Sequence, residues 1–177
     1  STEKEPALVM DLRPGAYTAI VSGVENTTGV TIVGVNDLGD DGGTGSSRLL
    51  NISTRGKVLT GDRAMIAGFV ISSNSNGGSL RVKMSNNGAS LGDNPSANFY
   101  TLKDPNLQLV GGEGDSNDNW ADRPDEELSY LYSNNQQPDD SRESFLLKTL
   151  NPGAYTLIMR GASSQTGIAV VGVTIAD

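Results

Sequence analysis

The residues best suited to chemistry are carboxylates and amides gathered in one acidic stretch that follows several glycines. The set comprises Asp115, Asn117, Asp118, Asn119 and Asp122. These hard oxygen donors suit Ca²⁺, and their spacing begins like an EF-hand loop, but Trp120 stands where that loop requires glycine. We predict that any bound ion is Ca²⁺, either here or in a second acidic set. The second set is Asp37, Asp40 and Asp41. The alternative is an acidic turn that bonds its own backbone.

The composition argues against catalysis. The chain has no His and no Cys, so the commonest general base and thiolate chemistry are both missing. A Ser or Thr nucleophile would need Lys or a carboxylate as its base, and no G-x-S-x-G motif occurs. Adjacent acids such as Asp40/Asp41, Glu126/Glu127 and Asp139/Asp140 are typical of solvated surfaces. We therefore predict that the protein is not an enzyme.

Trp120 is the only tryptophan of the chain, and Tyr130 and Tyr132 follow it closely. Because a tryptophan ring can stack on a sugar, the alternative function that we retain is a non-catalytic accessory or adhesion module that binds a glycan. Carbohydrate modules usually expose several aromatic side chains, whereas aromatic residues make up only 5% of this chain. The simpler interpretation is that Trp120 closes one end of the folded domain.

Two stretches, residues 12–35 and 150–173, repeat one another at a fixed offset without a gap, and about half of the aligned positions are identical. Each opens on Pro-Gly, which is a turn signal, and continues as an alternating strand. A short polar loop and a β-branched run follow, which is typical of a strand covered on both faces. We predict that each copy is a β-hairpin, with Tyr155 on one face of its first strand and Thr156 on the other.

The remaining elements indicate an all-β fold. Glycine is abundant, with 22 residues, and short apolar runs alternate with polar turns throughout the chain. We predict an antiparallel β-sandwich that is jelly-roll-like, with the duplicated hairpin at its N- and C-termini. Residues 1–38 form the N-terminal strand-hairpin segment, residues 39–45 a Gly/Asp linker, and residues 46–177 the sandwich. One short helix is expected over residues 122–132, with Asp122 as its N-cap.

The predicted core combines the inward positions of these strands. It consists of Ile52, Met65, Ile66, Phe69, Ile71, Leu80, Val82, Leu107, Leu109, Leu146, Tyr155, Leu157, Val171 and Val173. The net charge of −8 argues against nucleic acid as a partner, because an acidic surface repels phosphate. No apolar run approaches the length of about 20 residues that a membrane span needs, so no membrane insertion is expected.

Several motifs resemble a known kind of domain. They are Arg48-Leu49-Leu50-Asn51, Gly61-Asp62, Asp104-Pro105-Asn106-Leu107, Asn117-Asp118-Asn119-Trp120, Arg142-Glu143-Ser144 and Pro152-Gly153-Ala154-Tyr155. Together they resemble the β-sandwich repeat of large secreted proteins of environmental bacteria. The second half of the chain is also similar to the pre-peptidase C-terminal sandwich. The resemblance implies export, a jelly-roll-like sandwich and a non-catalytic role in adhesion or surface architecture.

Two points qualify this resemblance. Residues 87–91 replace the Gly-Pro-Ser-Leu turn that the family tends to carry. In the family the hairpin closes each repeat, so residues 1–37 look like the tail of a preceding repeat. The first residue, Ser1, is not an initiator Met, which fits a mature N-terminus after signal-peptide removal, although a trimmed chain would begin in the same way. Together with the export that the resemblance implies, we expect an extracellular or cell-surface location.

The duplicated segment leads to the functional hypothesis. Residues 46–177 already have their own hairpin, so the first copy either packs in the same domain as a pseudo-symmetric pair or completes a sheet of a neighbouring subunit. We favour the second alternative, in which donor strand complementation builds a homopolymer head to tail, as an extracellular filament or surface layer. The predicted assembly residues are Leu8, Val9, Tyr17, Ile20, Val30, Ile32, Val33 and Val35.

Overall fold

The computed structural model describes residues 5–38, 49–72 and 78–176. The chain divides into two compact units, Ser1–Leu49 and Leu50–Asp177. The larger unit contains eight strands and one α-helix, α1, at Asp125–Asn134. The strands are β1 at Asn51–Val58, β2 at Met65–Ile71, β3 at Leu80–Asn87, β4 at Pro105–Val110, β5 at Asp115–Asn117, β6 at Phe145–Leu150, β7 at Gly153–Gly161 and β8 at Gly167–Ile175.

The strands form two four-stranded sheets, so the predicted all-β sandwich is confirmed. The strand order is β1-β8-β3-β6 in one sheet and β2-β7-β4-β5 in the other, and every pairing between these strands is antiparallel. Eight strands ordered in this way across two sheets make a jelly roll. The strands β7 and β8 lie inside their sheets, and each has a partner strand on both sides.

The main core lies between the sheets and follows the alternation of the strands. On β7 the side chains of Tyr155, Leu157 and Met159 are buried, as the predicted alternation requires. On β8 the buried positions are Ala169, Val171 and Val173, whereas the residues between them are half-buried, so only one face of β8 is fully covered. Other predicted core residues are buried too. They are Ile71, Val82, Leu107, Leu109 and Leu146.

A second apolar cluster covers the outer side of β6. It consists of Leu131 on α1 together with Phe145, Leu147 and Ala176, and Trp120 and Tyr130 pack against it. The predicted helix exists but is displaced, because it begins at Asp125 after Pro124 and a separate 3-10 turn at Trp120–Asp122. Pro124 stands as the N-cap residue, and three acids in the first turn complement the helix dipole.

The predicted C-terminal hairpin is wrong in its pairing, although both strands exist where they were expected. The strand β7 pairs with β2 and β4, and β8 pairs with β1 and β3, so the two lie in opposite sheets. The 3-10 turn at Ala162–Ser164 connects them across the sandwich. We call such a connection an arch, meaning two consecutive strands in opposite sheets. Alternation is the same in a hairpin and an arch, so the sequence pattern could not separate them.

Ile66 is wrongly placed in the predicted core, because its side chain is 60% exposed. Its neighbours Met65 and Ala67 face inward on β2, and the period of two therefore turns Ile66 outward. The sequence analysis also missed Leu102, whose side chain is fully buried although it lies in a connecting segment. Its backbone N–H donates to the carbonyl oxygen of Ile168 at 2.9 Å, which holds this segment against β8.

Candidate assembly interface

Residues 12–35, which we call the N-terminal arch, share two local features with residues 150–173, the C-terminal arch. These features are the entry and the turn. At the opening of each arch, a tyrosine hydroxyl donates back to a carbonyl oxygen four residues earlier. Tyr17 donates to Arg13 at 2.8 Å, and Tyr155 donates to Asn151 at 2.8 Å. The Pro-Gly signal and the tyrosine that follows it therefore build the same entry in both copies.

The turn in the middle of the arch is also duplicated. A 3-10 turn occupies Val24–Asn26 in the first copy and Ala162–Ser164 in the second. Its central residue has a positive φ in both, 53° at Glu25 and 51° at Ser163. A β-carbon at Gly23 would collide with the carbonyl oxygen of Thr27, as one at Gly161 would with that of Gln165, so glycine is required at both positions.

The side chains of the N-terminal arch have two distinct levels of exposure. Tyr17 and Val33 are 59% and 47% exposed, and their counterparts Tyr155 and Val171 are core residues of the sandwich. Val21 and Val35 behave in the same way. The other set points away from the inside of the arch and is exposed at 87%, 91% and 95%. It consists of Ile20, Val30 and Ile32. The arch thus presents a core-forming face and an outer apolar face.

Within the described residues 5–38, neither arm of the arch is in a β-strand, so the predicted N-terminal hairpin is not formed. The C-terminal arch explains why. Its arms take their main-chain partners from β1, β2, β3 and β4, and none from each other. An arch alone therefore has no ladder of its own, and its arms need strands from elsewhere.

The lead-in to the N-terminal arch is apolar and exposed as well. Leu8 and Val9 have 86% and 84% of their surfaces accessible. All eight predicted assembly residues therefore lie on the surface of the described structure. Apolar exposure on this scale is typical of surfaces that bind another protein.

The first residue of the acidic loop, Asp115, belongs to a network of ion pairs. Its carboxylate lies 2.6 Å from Arg123 and 2.6 Å from Lys148. Burial tends to raise the pKa of Asp115, but the hydrogen bonds from Arg123, Lys148 and the backbone of Ser116 outweigh it and hold this pKa at about 2. Arg123 also lies 2.6 Å from Glu127, whose other carboxylate oxygen accepts from the N–H of Leu147. The network joins β5, α1 and β6.

The other predicted calcium ligands are partly engaged. Asn117 is buried, and its side-chain oxygen accepts from the N–H of Phe145 at 2.9 Å. The amide of Asn119 donates to Asp122 at 3.3 Å. Burial, followed by the charges of Asp104 and Asp122, raises the pKa of Asp118. Within the described ranges no group of three or more acidic residues is placed to hold a metal ion.

Calcium stays a prediction, and Asp118, Asn119 and Asp122 are its remaining candidates in this loop. In the second acidic set, Asp40 and Asp41 lie outside the described residues.

Trp120 is half-buried and packs against the cluster beneath α1, with its ring 6.3 Å from that of Tyr132 in an edge-on arrangement. Its indole N–H is buried without a hydrogen-bond partner. A sugar-stacking platform needs a free ring face, so this packing favours the interpretation that Trp120 closes one end of the domain.

Glu143 is a structural residue whose role the sequence analysis missed. It is fully buried, and its carboxylate accepts hydrogen bonds from the N–H groups of Gly88 and Ser90 and from the hydroxyl of Ser90, at 2.8, 3.1 and 2.6 Å. The loop at residues 87–91 is therefore held by this acid. The Arg142-Glu143-Ser144 motif, followed by an apolar strand, was the signal in the sequence.

Comparisons with models of protein families, with curated proteins and with solved structures give no match to this chain. Among the described residues, no helix is long and apolar enough to cross a membrane.

Proposed function

We propose that this protein is a secreted, non-catalytic structural subunit that polymerises head to tail into an extracellular filament or surface layer. The N-terminal arch of each subunit docks on the next subunit by strand complementation. The observation that carries the proposal is that residues 12–35 keep the turn and the tyrosine bond of the C-terminal arch while their apolar side chains stay exposed. Export rests on the resemblance to repeats of secreted proteins.

Both arms of the N-terminal arch expose groups that the C-terminal arch buries or pairs. Among the described residues 5–38, their core-forming side chains are not buried and their main-chain groups are not part of a β-sheet. Docking two arms buries on the order of 1,000 Å² or more, which is the scale of a stable interface. The main-chain bonds would fix the register, and the alternating apolar side chains would give specificity.

Each subunit would carry the donor segment on one surface and the acceptor on another. The contact between two subunits is therefore heterologous. A heterologous contact whose rotation does not close propagates as a filament. Because the main core cluster draws only on residues 52–173, the sandwich does not need the donor for its own interior.

Removal of residues 1–38 tests the proposal. We expect the intact chain to form filaments in negative-stain micrographs and to sediment as a broad polymer, while the shortened chain sediments as a monomer. The shortened chain should still unfold in one cooperative thermal transition, since its core is retained. If the shortened chain is unfolded, the first copy belongs to the core of its own domain. If it still polymerises, the arch is not the donor.

A glycan-binding adhesion module is the competing proposal. It predicts a monomer that binds a glycan array and loses binding in Trp120→Ala. The half-buried ring of Trp120 and its contact with Tyr132 do not favour it.

A further inference from the structure

We propose that the acceptor for the N-terminal arch is the pair of free strand edges formed by β1 and β2 of a second copy of this chain. The arm at residues 16–22 would add to β2, and the arm at residues 30–35 would add to β1, so that both sheets gain one strand. This inference rests on the proposed function and assigns its binding surface.

The strand order leaves four outer strands, and two of them are unsuitable as acceptors. On β6 the N–H groups of Phe145 and Leu147 already donate to the side chains of Asn117 and Glu127. The strand β5 has only three residues, and Asp115 and Asn117 on it are already bonded to other parts of the domain. Short, occupied edges resist strand addition. By contrast β1 has eight residues and β2 has seven, and among the described residues no strand pairs with their outer edges.

The core is incompletely covered beside these two edges. The inward side chains of Ile52 on β1 and of Met65 and Phe69 on β2 are only partly buried. Their neighbours on the adjacent strands, such as Val173 on β8 and Met159 on β7, are at most 8% exposed. An added layer of apolar side chains would complete this side of the core.

The outer face of β2 is also apolar. Ile66 and Val70 are 60% and 75% exposed and lie on the same face of the strand. In the N-terminal arch, Ile20 points to the corresponding outer side of the first arm. When that arm adds to β2, Ile20 becomes a cross-strand neighbour of Ile66 or Val70, and such pairs stabilise a sheet.

The geometry of the two arms fits both edges at once. The strands β1 and β2 are themselves joined by a 3-10 turn at Gly61–Arg63 and lie in opposite sheets. The C-terminal arch pairs with one side of them, with Gly167 opposite Val58 and Met159 opposite Met65. The N-terminal arch has the same entry and the same turn, so we infer that its arms lie antiparallel to β1 and β2 on the free side in the same orientation.

This orientation also matches charges. The turn of the C-terminal arch lies at the end of the sandwich where β1 ends and β2 begins. In the docked N-terminal arch the same turn carries Glu25, and the acceptor carries Lys57, Asp62 and Arg63 at that end, which is two cations against one acid. Acidic and basic groups that meet in this way favour one direction of docking.

Insertion into the centre of a sheet is a less suitable route. The central positions beside β1 and β2 are filled by β7 and β8 of the same chain. An incoming arch would have to displace fully buried residues such as Leu157 and Ala169. Addition to the free edges requires no displacement.

Substitutions on the acceptor face test the assignment in the full chain. We expect Ile66→Lys together with Val70→Lys to raise the concentration needed for polymerisation at least tenfold, measured by sedimentation. The control is Val110→Lys, which places one such charge on a 46% exposed residue of β4 and should polymerise as the wild type does. Thermal melting checks that each variant is folded.

Disulfide trapping gives a second readout, because the chain contains no cysteine. Ile20→Cys combined with Ile66→Cys or with Val70→Cys should give a ladder of cross-linked oligomers after oxidation. Ile20→Cys combined with Val110→Cys should not. The assignment would be overturned if only the pair Ile20→Cys and Val110→Cys gave a ladder. It would also be overturned if the two cysteines joined only within one chain.

The outcomes separate the two proposals. Filaments that tolerate the lysine pair, with no disulfide ladder through Ile66 or Val70, overturn the acceptor and leave the filament proposal standing. A wild-type chain that stays monomeric overturns both.

Discussion

Four charged side chains tie the short strand β5 to α1 and β6, and they show what a single residue contributes to this domain. Arg123 is 8% exposed, and it lies between Asp115 and Glu127. A buried cation of this kind is stable only while its partners remain. Asp115 is one of the acids that suggested calcium, and its ion-pair partners are Arg123 and Lys148. A sequence shows the acids but not which cation folds back onto each of them.

Replacement of Glu127 by Ala should destabilise the sandwich by about 3 kcal/mol, because it leaves Arg123 and the N–H of Leu147 without their partner. Equilibrium unfolding in urea measures the loss. The adjacent Glu126→Ala is the matched control. Glu126 is 88% exposed and lies 3.8 Å from Arg81, so its removal should cost less than about 0.5 kcal/mol. Equal losses in the two variants would contradict the role of the network.

Stability should fall on acidification. The pKa of Asp115 is about 2 in the folded protein and about 3.9 in an unfolded chain, so its contribution is complete above pH 4 or so and is lost as the pH falls towards 2. Hydrogen bonds from Lys103 and Thr101 hold the pKa of Asp93 at about 2 as well. Melting temperatures between pH 5 and pH 2 should therefore drop.

The same melting series on Asp115→Asn should have a shallower dependence on pH. The exposed Asp62→Asn should follow the wild type. A slope that Asp115→Asn leaves unchanged would show that its ion pairs do not contribute to acid sensitivity.

At the scale of elements, the alternation of apolar residues predicted most of the fold. It assigned the inward face of β7 correctly, and every predicted core residue except Ile66 is buried or half-buried. It could not predict that consecutive strands enter opposite sheets, because partner choice depends on contacts distant in sequence. It also missed β5, whose residues are all polar, and the buried Leu102 in a connecting segment.

The two arches give a matched pair of substitutions. Gly161→Ala should destabilise the sandwich by about 2 kcal/mol, since its β-carbon meets Gln165 and the side chain of Leu102. Gly23→Ala creates the equivalent collision with Thr27, so it should block assembly and leave the melting of the unassembled monomer unchanged. Gly29→Ala is the control, because its β-carbon has open space and it lies between the two docking arms, so assembly should persist.

Sedimentation and thermal melting of the three variants measure these effects. A Gly23→Ala chain that assembles normally would show that the arch conformation is not needed. A Gly23→Ala chain that melts below the wild-type monomer, compared at a concentration too low for assembly, would instead place the first copy within that fold.

At the scale of the whole molecule, two features carry the proposal. One is a jelly roll that builds its own core, and the other is a second copy of the sequence of its C-terminal arch. The sequence alone showed the duplication and the resulting surplus of apolar surface. The structure adds that the C-terminal copy is an arch, whose arms take their main-chain partners from both sheets. A hairpin could satisfy its main-chain groups internally, whereas an arch cannot, and this difference strengthens the case for a docked donor.

The most direct measurement is negative-stain microscopy and sedimentation velocity of the intact chain beside Ile20→Asp combined with Ile32→Asp. Both residues lie on the exposed outer face of the N-terminal arch. The account predicts filaments of the intact chain. It predicts that the variant is a folded monomer that melts at the temperature of the wild-type monomer, compared at a concentration too low for assembly. The matched control Asp11→Asn alters charge in the lead-in and should still form filaments. An intact chain that remains monomeric at high concentration, or a doubly substituted chain that forms the same filaments, would contradict the account.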